Sequence, residues 1–368
     1  MSKLDEIVKQ VNKDWKEDIL AKGVHRIKTK KIPFTSPRLN YMLYGGLPRG
    51  YLIEFCGDEN GGKTTTALDV CKNAQILFQE EFEEKLSNAK DEKERKLIEE
   101  QGPQKVIYLD CENTLDEDWA TNLGVDVDEM YILKPQTQAA EDIFQIALDM
   151  METGEVGLAV VDSLGVMMSK QAYEKDMTEK TYGGIAMPLT LFSKKAELLC
   201  HKYNATLIGI NQMRDDMNSP YGGKTTTGGR AWRHNCIIRL QFAKGDYLDE
   251  NGNSINRSSE APKGNKVVVS VLKQKADKPD RKLGYYTLMY DTGIDEIADL
   301  IEVAMRYGYI IKSGAWFTFC DVETGELLTD EEGKEIKVQG QVNVAKLLRE
   351  DEILLNELKE QLDSRMGL

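Results

Sequence analysis

The residues that bear most directly on chemistry form a glycine-rich segment that reads Gly-Asp-Glu-Asn-Gly-Gly-Lys-Thr. The segment follows a short apolar run, and the residues after it have helical spacing. In such strand–loop–helix units, backbone N–H groups and the positive end of the helix dipole bind phosphate, while the lysine reaches the terminal phosphates and the threonine holds Mg²⁺. The pattern therefore predicts a site for a nucleoside triphosphate. The residues expected to bind it are Gly57, Asp58, Glu59, Asn60, Gly61, Gly62, Lys63, Thr64 and Thr65.

Two further apolar runs end in carboxylates. Asp162 follows one run, and Glu112 lies just beyond the end of the other. In parallel sheets such strand ends lie beside the phosphate loop, so we expect Asp162 to support Mg²⁺ together with Thr64. Glu112 could accept a proton from a water molecule that attacks the γ-phosphate. The alternative for each is an exposed strand-end acid without a catalytic role.

An amide pair ends a third apolar run, and a basic, hydroxyl-rich segment follows it. Gln212 could sense the γ-phosphate by hydrogen bonding and move the segment 213–234. Side chains of this kind, with accessible backbone N–H groups, suit contact with a nucleic-acid backbone. The alternative is a surface loop without a ligand. The candidate contacts are Arg214, Lys224, Thr225, Thr226, Thr227, Gly228, Gly229 and Arg230.

Composition limits the class of protein. The 368 residues carry a formal charge of −14, which argues against nucleic-acid binding overall but leaves room for a local basic surface. No apolar run approaches the ~20 residues that cross a bilayer, and the N-terminus lacks the apolar core of a signal peptide. The six cysteines are scattered without a Cys-x-x-Cys pair, so we expect reduced thiols and a cytoplasmic protein.

The periodicity divides the chain into three parts. Residues 1–31 predict an amphipathic helix and a basic linker, which could pack on the same chain or on a neighbouring subunit. Residues 32–291 alternate strands with helices, which predicts an α/β core with a mostly parallel sheet and a long hairpin or loop over 243–265. Residues 292–368 predict a small α+β domain whose final helix spans 344–362.

Together these motifs resemble the RecA family of homologous-recombination ATPases, over essentially the full length of the chain. The resemblance lies in the phosphate loop, Asp110–Asp116, Asp162-Ser163, Ile210–Arg214, Thr225–Gly229 and Ser313–Phe317. It implies a RecA-like P-loop core that binds ATP and Mg²⁺, with an N-terminal module that docks on the adjacent protomer. It further implies self-association into a helical filament on single-stranded DNA that pairs with homologous duplex DNA, and makes mediator and single-strand-binding proteins candidate partners.

The resemblance also assigns roles to individual residues. It implies that Glu112 activates water, Gln212 senses the γ-phosphate, and Trp119 stacks near the adenine beside Asp116. Lys273 and Lys275 match a lysine pair that reaches the neighbouring subunit's ATP, where two cations would stabilise transition-state charge; their alternative is a solvated turn. Two loops, at about 174–184 and 213–230, would face DNA. Further residues of the implied DNA-binding set are Lys180, Tyr182, Gly183, Gly184 and Lys195.

The chain departs from the family pattern in ways that leave alternatives open. The phosphate loop has Asp-Glu-Asn-Gly where bacterial RecA proteins usually have Pro-Glu-Ser-Ser, and Met187-Pro188 stands where a basic residue is common. Segments at 292–295 and 321–326 look closer to phage recombinases of the UvsX kind, so a phage-encoded member is one hypothesis. A hexameric helicase-type motor and a nucleotide-switched scaffold are the other functions weighed.

Overall fold

A computed structural model describes residues 3–15, 30–136, 139–175, 184–215, 223–256, 260–322, 324–330 and 332–368. The chain divides into two compact units, residues 1–30 and residues 31–368. In the first unit, helix α1 spans Lys3–Trp15. Two residues of its predicted apolar stripe, Leu4 and Ile7, are 61% and 55% exposed. Docking of this helix on a neighbour stays a prediction.

The second unit contains a large sheet, a small sheet and the remaining helices. The helices are α2 (Pro37–Met42), α3 (Lys63–Ser87), α4 (Glu92–Gln101), α5 (Glu117–Asn122), α6 (Ala140–Glu152), α7 (Lys170–Tyr173), α8 (Ala186–Tyr203), α9 (Gly229–Asn235), α10 (Glu296–Tyr307), α11 (Gln341–Glu350) and α12 (Glu352–Met366). The strands are β1 (Leu52–Gly57), β2 (Lys105–Asp110), β3 (Met130–Leu133), β4 (Val156–Asp162), β5 (Thr206–Asp215), β6 (Lys224–Thr226), β7 (Ile238–Leu248), β8 (Ser254–Ile255), β9 (Gly264–Gln274), β10 (Leu283–Met289), β11 (Gly293–Ile294), β12 (Ile310–Ser313), β13 (Trp316–Phe319) and β14 (Lys337–Gln339).

The large sheet is parallel through its centre and antiparallel at one side. Its strand order is β11-β10-β9-β7-β1-β5-β4-β2-β3, with β6 paired to β5 and β8 to β7. The neighbours from β7 to β3 run parallel, whereas β9, β10 and β11 pair antiparallel. The predicted mixed α/β fold with a mostly parallel sheet is therefore confirmed. Over 243–265, the predicted long hairpin is formed by the ends of β7 and β9 with β8 between them.

Apolar side chains that alternate along the central strands cover both faces of this sheet. On one face, Phe55 and Tyr108 share a buried cluster with Leu68 of α3. On the other face, Ile107 and Val161 belong to a second cluster with apolar residues of α6 and α8. The sheet is thus buried on both sides, as continuously apolar parallel strands require, and its polar groups concentrate at the strand ends.

Residues 296–366 build a smaller core of their own. Helices α10, α11 and α12 pack with the three-stranded antiparallel sheet β12-β13-β14 around Phe317 and Leu348. The single final helix predicted over 344–362 is wrong, because the helix ends at Glu350 and a new one begins at Glu352. Asp351 caps the second helix by accepting a hydrogen bond from the Leu354 N–H, and this local bond stabilises the break.

All six cysteines are buried and free, which agrees with the expectation of reduced thiols. Across the described residues, none of the helices combines the length and apolar character needed to span a bilayer. The division of residues 31–368 at about position 291 stays a prediction, since this part of the chain forms one compact unit.

Candidate active site

The predicted motifs meet at the carboxyl edge of the parallel strands. In the pairing of β1 with β5, Gly57 lies opposite Gln212, and in the pairing of β2 with β4, Asp110 lies opposite Asp162. Glu112 follows β2 by two residues. Four sequence motifs far apart in the chain therefore reach the same edge, where open α/β sheets bind ligands.

The phosphate loop connects β1 to α3. Gly57 is required at the end of β1, because a Cβ atom there would lie 2.2 Å from the Phe242 carbonyl oxygen. Gly62 caps α3 with φ at +93°, a left-handed conformation that favours glycine. Lys63 and Thr64 then open a 25-residue helix whose positive dipole end faces the loop. The local backbone thus has the form of an anion-binding loop.

A cleft of about 570 Å³ lies beside this loop. Its volume is in the range of ordinary ligand sites. The predicted residues that line it are Glu59, Asn60, Gly61, Gly62, Lys63, Thr64, Thr65, Glu112, Trp119, Asp162 and Gln212. Lining residues that the sequence reasoning missed are Ile210, Lys244, Asn265, Val267, Leu288 and Tyr290.

Asp162 is held by two hydroxyl groups. Its Oδ2 accepts hydrogen bonds from Thr64 Oγ1 at 2.8 Å and from Tyr108 OH at 2.6 Å. Burial of the carboxyl raises the pKa of Asp162 to about 6, although both hydrogen bonds act in the opposite direction. A threonine hydroxyl and a carboxylate are oxygen ligands that suit Mg²⁺ when phosphate and water supply the others. The two side chains therefore fit a shared magnesium site.

Glu112 projects into the same cleft and has two polar neighbours. Its Oε1 accepts a hydrogen bond from Ser163 Oγ at 2.5 Å and one from Gln212 Nε2 at 3.4 Å. Ser163 directly follows Asp162, so one strand end orients both carboxylates. The arrangement links the candidate base to the candidate phosphate sensor through a single oxygen atom.

The phosphate-loop residue Asp58 contacts two lysines. Its backbone carbonyl accepts a hydrogen bond from Lys63 Nζ at 2.7 Å. Its side-chain oxygens accept bonds from Lys224 Nζ at 2.7 and 2.6 Å. Burial lowers the pKa of Lys63, while the nearby carboxylates Asp162 and Glu112 oppose this shift. Asp58 is not among the residues that line the cleft.

Trp119 and Asp116 have different positions. Trp119 lines the cleft, whereas Asp116 is exposed and caps α5 by accepting a hydrogen bond from the Trp119 N–H.

Of the lining residues that the sequence reasoning missed, Tyr290 donates its hydroxyl proton to Asn265 Oδ1 at 2.9 Å. These two residues come from the antiparallel side of the sheet and carry no motif, so no sequence signal pointed to them.

The candidate DNA-binding segment is partly ordered by a buried polar network. Glu54 is fully buried in β1 and accepts hydrogen bonds from Asn211 Nδ2 at 3.0 Å, Trp232 Nε1 at 3.0 Å and Arg239 Nε at 2.5 Å. Asn211 in turn exchanges two hydrogen bonds with Thr227, at 3.0 and 2.6 Å. The segment after β6 is thereby tied to the strand that precedes the phosphate loop.

The three threonine hydroxyls of this segment are engaged within the chain. Arg233 NH1 donates to Thr225 Oγ1, and Arg239 NH2 donates to Thr226 Oγ1. Thr226 and Gly228 are buried, whereas Lys224 and Arg230 are exposed. Lys224 and Arg230 are therefore accessible for contact with a polyanion, and Gly229, like Thr225 and Thr227, is partly exposed.

Other predicted residues lie apart from the cleft or outside the described part of the chain. Lys273 donates to the carbonyls of Arg233 and His234, Lys275 is exposed, and neither lines the cleft. Arg214 is exposed on β5 and donates to the Gly165 carbonyl at 3.3 Å. Gly184 and Lys195 are both exposed, Lys195 on α8. Lys180, Tyr182 and Gly183 lie outside the described residues.

Comparison with known proteins gives consistent matches. The family model described as the RecA N-terminal domain matches residues 96–295, more than half of the chain. The chain is 31% identical to Protein RecA of Aquifex aeolicus over 349 residues, which cover 94% of this chain and 87% of that protein. It is 30% identical to Protein RecA of Aquifex pyrophilus, with 94% and 86% covered, and to Protein RecA of Fusobacterium nucleatum, with 86% and 73% covered.

Proposed function

The chain belongs to the RecA family, and on this premise we propose that it is an ATP-dependent recombinase. It forms a helical filament on single-stranded DNA, pairs that strand with homologous duplex DNA and exchanges strands, with DNA-stimulated ATP hydrolysis. One observation carries the proposal: the phosphate loop, Asp162 and the Glu112–Gln212 pair converge on one cleft, and the segment that leaves β5 beside Gln212 carries exposed basic residues.

The nucleotide would lie with its phosphates against the loop and the N-terminus of α3. Lys63, whose ammonium group donates to the Asp58 carbonyl, would turn to the terminal phosphates. Thr64 and Asp162 would hold Mg²⁺, which supplies neutralisation of the phosphate charge. Trp119 offers an aromatic face for the adenine. Asp116 supports it indirectly, through the cap of α5.

Glu112 would act as the general base. Ser163 and Gln212 donate hydrogen bonds to the same carboxylate oxygen, so they orient the side chain. Its second oxygen can then accept a proton from the attacking water. Because phosphoryl transfer depends on positioning and charge stabilisation more than on covalent chemistry, a carboxylate fixed in this way is sufficient for the role.

Gln212 would couple the γ-phosphate to DNA binding. Its amide leaves Glu112 when a γ-phosphate accepts the same N–H. Gln212 lies on β5, which pairs with β6 of the DNA segment.

Lys273 and Lys275 do not line the cleft of their own chain. We assign them to the ATP of the adjacent protomer, so that assembly completes the site. The parts at 1–31, 32–291 and 292–368 would serve docking, catalysis with DNA binding, and an accessory C-terminal role.

The direct test is phosphate release from ATP with and without single-stranded DNA, combined with a strand-pairing assay on homologous duplex DNA. We expect stimulation by DNA and homology-dependent pairing in the wild type. Lys63→Ala should lose nucleotide-dependent assembly on DNA. An ATPase rate indifferent to DNA, together with no DNA binding in a non-hydrolysable analogue, would contradict the proposal, and closed rings that unwind forked DNA would favour a helicase-type motor.

A further inference from the structure

An ion pair connects the phosphate loop to the candidate DNA-binding segment within one subunit. Lys224 Nζ donates to both carboxylate oxygens of Asp58, at 2.7 and 2.6 Å. The two side chains remain 45% and 62% exposed, so a soluble anion can reach the ammonium group. We propose that Asp58 is an internal counter-anion of Lys224, and that DNA phosphate competes with it for the same ammonium group. The inference rests on the proposed DNA-binding function of this segment.

The backbone fixes the position of Lys224. Strand β6 pairs antiparallel with β5, and Lys224 lies opposite Asp215 in this pairing. Lys224 Nζ nevertheless donates its hydrogen bonds to Asp58. Two and three residues further along, Thr226 accepts a hydrogen bond from Arg239 and Thr227 donates one to Asn211. Because these contacts restrain the segment, the lysine can exchange anionic partners by side-chain rotation while the strand stays paired.

The ion pair also affects the charge of the phosphate loop. Asp58 and Glu59 place two carboxylates in a loop that is proposed to bind polyphosphate, and Lys224 neutralises one of them. DNA binding at Lys224 therefore removes a compensating cation from the phosphate loop, and the occupancy of one site changes the charge of the other.

A double-mutant cycle on DNA affinity tests the competition. Dissociation constants for a labelled single-stranded thymidine oligonucleotide are measured by fluorescence anisotropy, without nucleotide and with a non-hydrolysable ATP analogue. Asp58→Asn should tighten binding by about two- to fivefold, as expected for release of a cation from an exposed pair. Lys224→Gln should weaken binding of the oligonucleotide. In the Lys224→Gln background, Asp58→Asn should change the dissociation constant only by the general effect of removing one negative charge.

Glu59→Gln is the matched control, because it removes the same unit of charge one residue away from Asp58. The effect of Glu59→Gln should be smaller than that of Asp58→Asn in the wild-type background and equal to it in the Lys224→Gln background. Equal effects in both backgrounds would overturn the ion-pair proposal while the recombinase proposal stands. If the wild type binds no DNA in either condition, both proposals are overturned.

Discussion

At the scale of single residues, Glu112 is the side chain on which the proposed hydrolysis depends. Glu112→Gln keeps the shape and can still accept a hydrogen bond, but it cannot take up a proton from water. We expect DNA-stimulated phosphate release to fall by about 100- to 10,000-fold, since general-base catalysis is worth that much. Nucleotide binding and assembly on DNA should persist, because the phosphate loop is unchanged. Phosphate release and electron micrographs of the same samples measure the two effects.

Ser163→Ala provides a graded comparison. It removes the 2.5 Å hydrogen bond that orients Glu112 but keeps the carboxylate. The loss of one hydrogen bond is worth about 0.5–1.5 kcal/mol, so hydrolysis should fall only about two- to tenfold. A Glu112→Gln protein that still hydrolyses ATP at the wild-type rate would exclude the assigned role of Glu112.

Residue types and spacing predicted those cleft-lining residues that belong to compact motifs. The phosphate loop, Asp162, Glu112 and Gln212 each end or follow a recognisable apolar run, and the sheet registers bring them together. The other lining residues, among them Lys244, Asn265 and Tyr290, could not be predicted in this way. Lys244 and Asn265 lie on β7 and β9, which pair antiparallel, and Tyr290 directly follows β10. The pairing of these strands determines which side chain reaches the cleft, and pairing is a property of the whole sheet.

At the scale of elements, the buried Glu54 joins β1, β5 and β7. Glu54→Gln would leave the Arg239 guanidinium without a charged partner at this position, and Arg239 is only 15% exposed. Removal of one partner of a buried pair costs about 3–5 kcal/mol, so we expect a loss of stability approaching this size in urea unfolding. Amide hydrogens of 225–229 should also exchange faster, because Arg239, which donates to Thr226 Oγ1, loses the carboxylate oxygen that positions it.

Glu129→Gln is a suitable control for this change. Glu129 pairs with Lys105 at 2.6 Å on the protein surface, where its side chain is 62% exposed. Exposed pairs of this kind contribute little to stability. If both variants lost the same stability, the Glu54 network would have no special role in holding the strands.

A second element-scale prediction concerns the contact between α2 and α10. Asp299 of α10 is fully buried and accepts a hydrogen bond from Ser36 Oγ at 2.5 Å, while Arg38 lies nearby. Burial raises the pKa of Asp299 to about 7, from an ordinary value of 3.8. The folded protein therefore binds this proton more tightly than the unfolded chain, and the free energy of unfolding should fall as pH rises from about 4 to about 7.

Asp299→Asn should remove this part of the pH dependence, because an amide does not titrate and can still accept from Ser36. The difference between the two proteins is at most about 4 kcal/mol over the range, at about 1.4 kcal/mol for each unit of pKa shift. Urea unfolding at several pH values measures it. An unchanged slope in the variant would show that other groups cause the pH dependence.

Elements with strong periodicity were predicted well, and their ends less so. The central strands were predicted correctly, because a continuous run of apolar residues is typical of a strand in a sheet that is buried on both faces. The final helix was predicted as one because its apolar spacing continues across Asp351, where a side-chain cap interrupts the backbone. This side-chain bond replaces a backbone hydrogen bond that a continuous helix would make, and the spacing of apolar residues gives no sign of it.

At the scale of the whole molecule, the open question is whether Lys273 and Lys275 of one protomer complete the active site of its neighbour. Neither lines the cleft of its own chain, and Lys273 Nζ donates to two backbone carbonyls of α9. If they act on the ATP of an adjacent protomer, two defective proteins should complement each other. Glu112→Gln keeps both lysines but lacks the base, whereas a Lys273→Gln/Lys275→Gln protein keeps the base but lacks the cations.

Mixing these two proteins at equal concentration on single-stranded DNA should give more hydrolysis than the sum of the two alone. A seam is the interface between two neighbouring protomers of the filament. In the mixed filament, a seam is complete when the lysine variant supplies Glu112 and its Glu112→Gln neighbour supplies Lys273 and Lys275. With random mixing about one quarter of the seams have this composition, so activity should reach about a quarter of the wild-type rate if each seam works independently. Phosphate release as a function of the mixing ratio should peak near equal amounts, whereas a site contained within one subunit would give a straight line between the two inactive proteins.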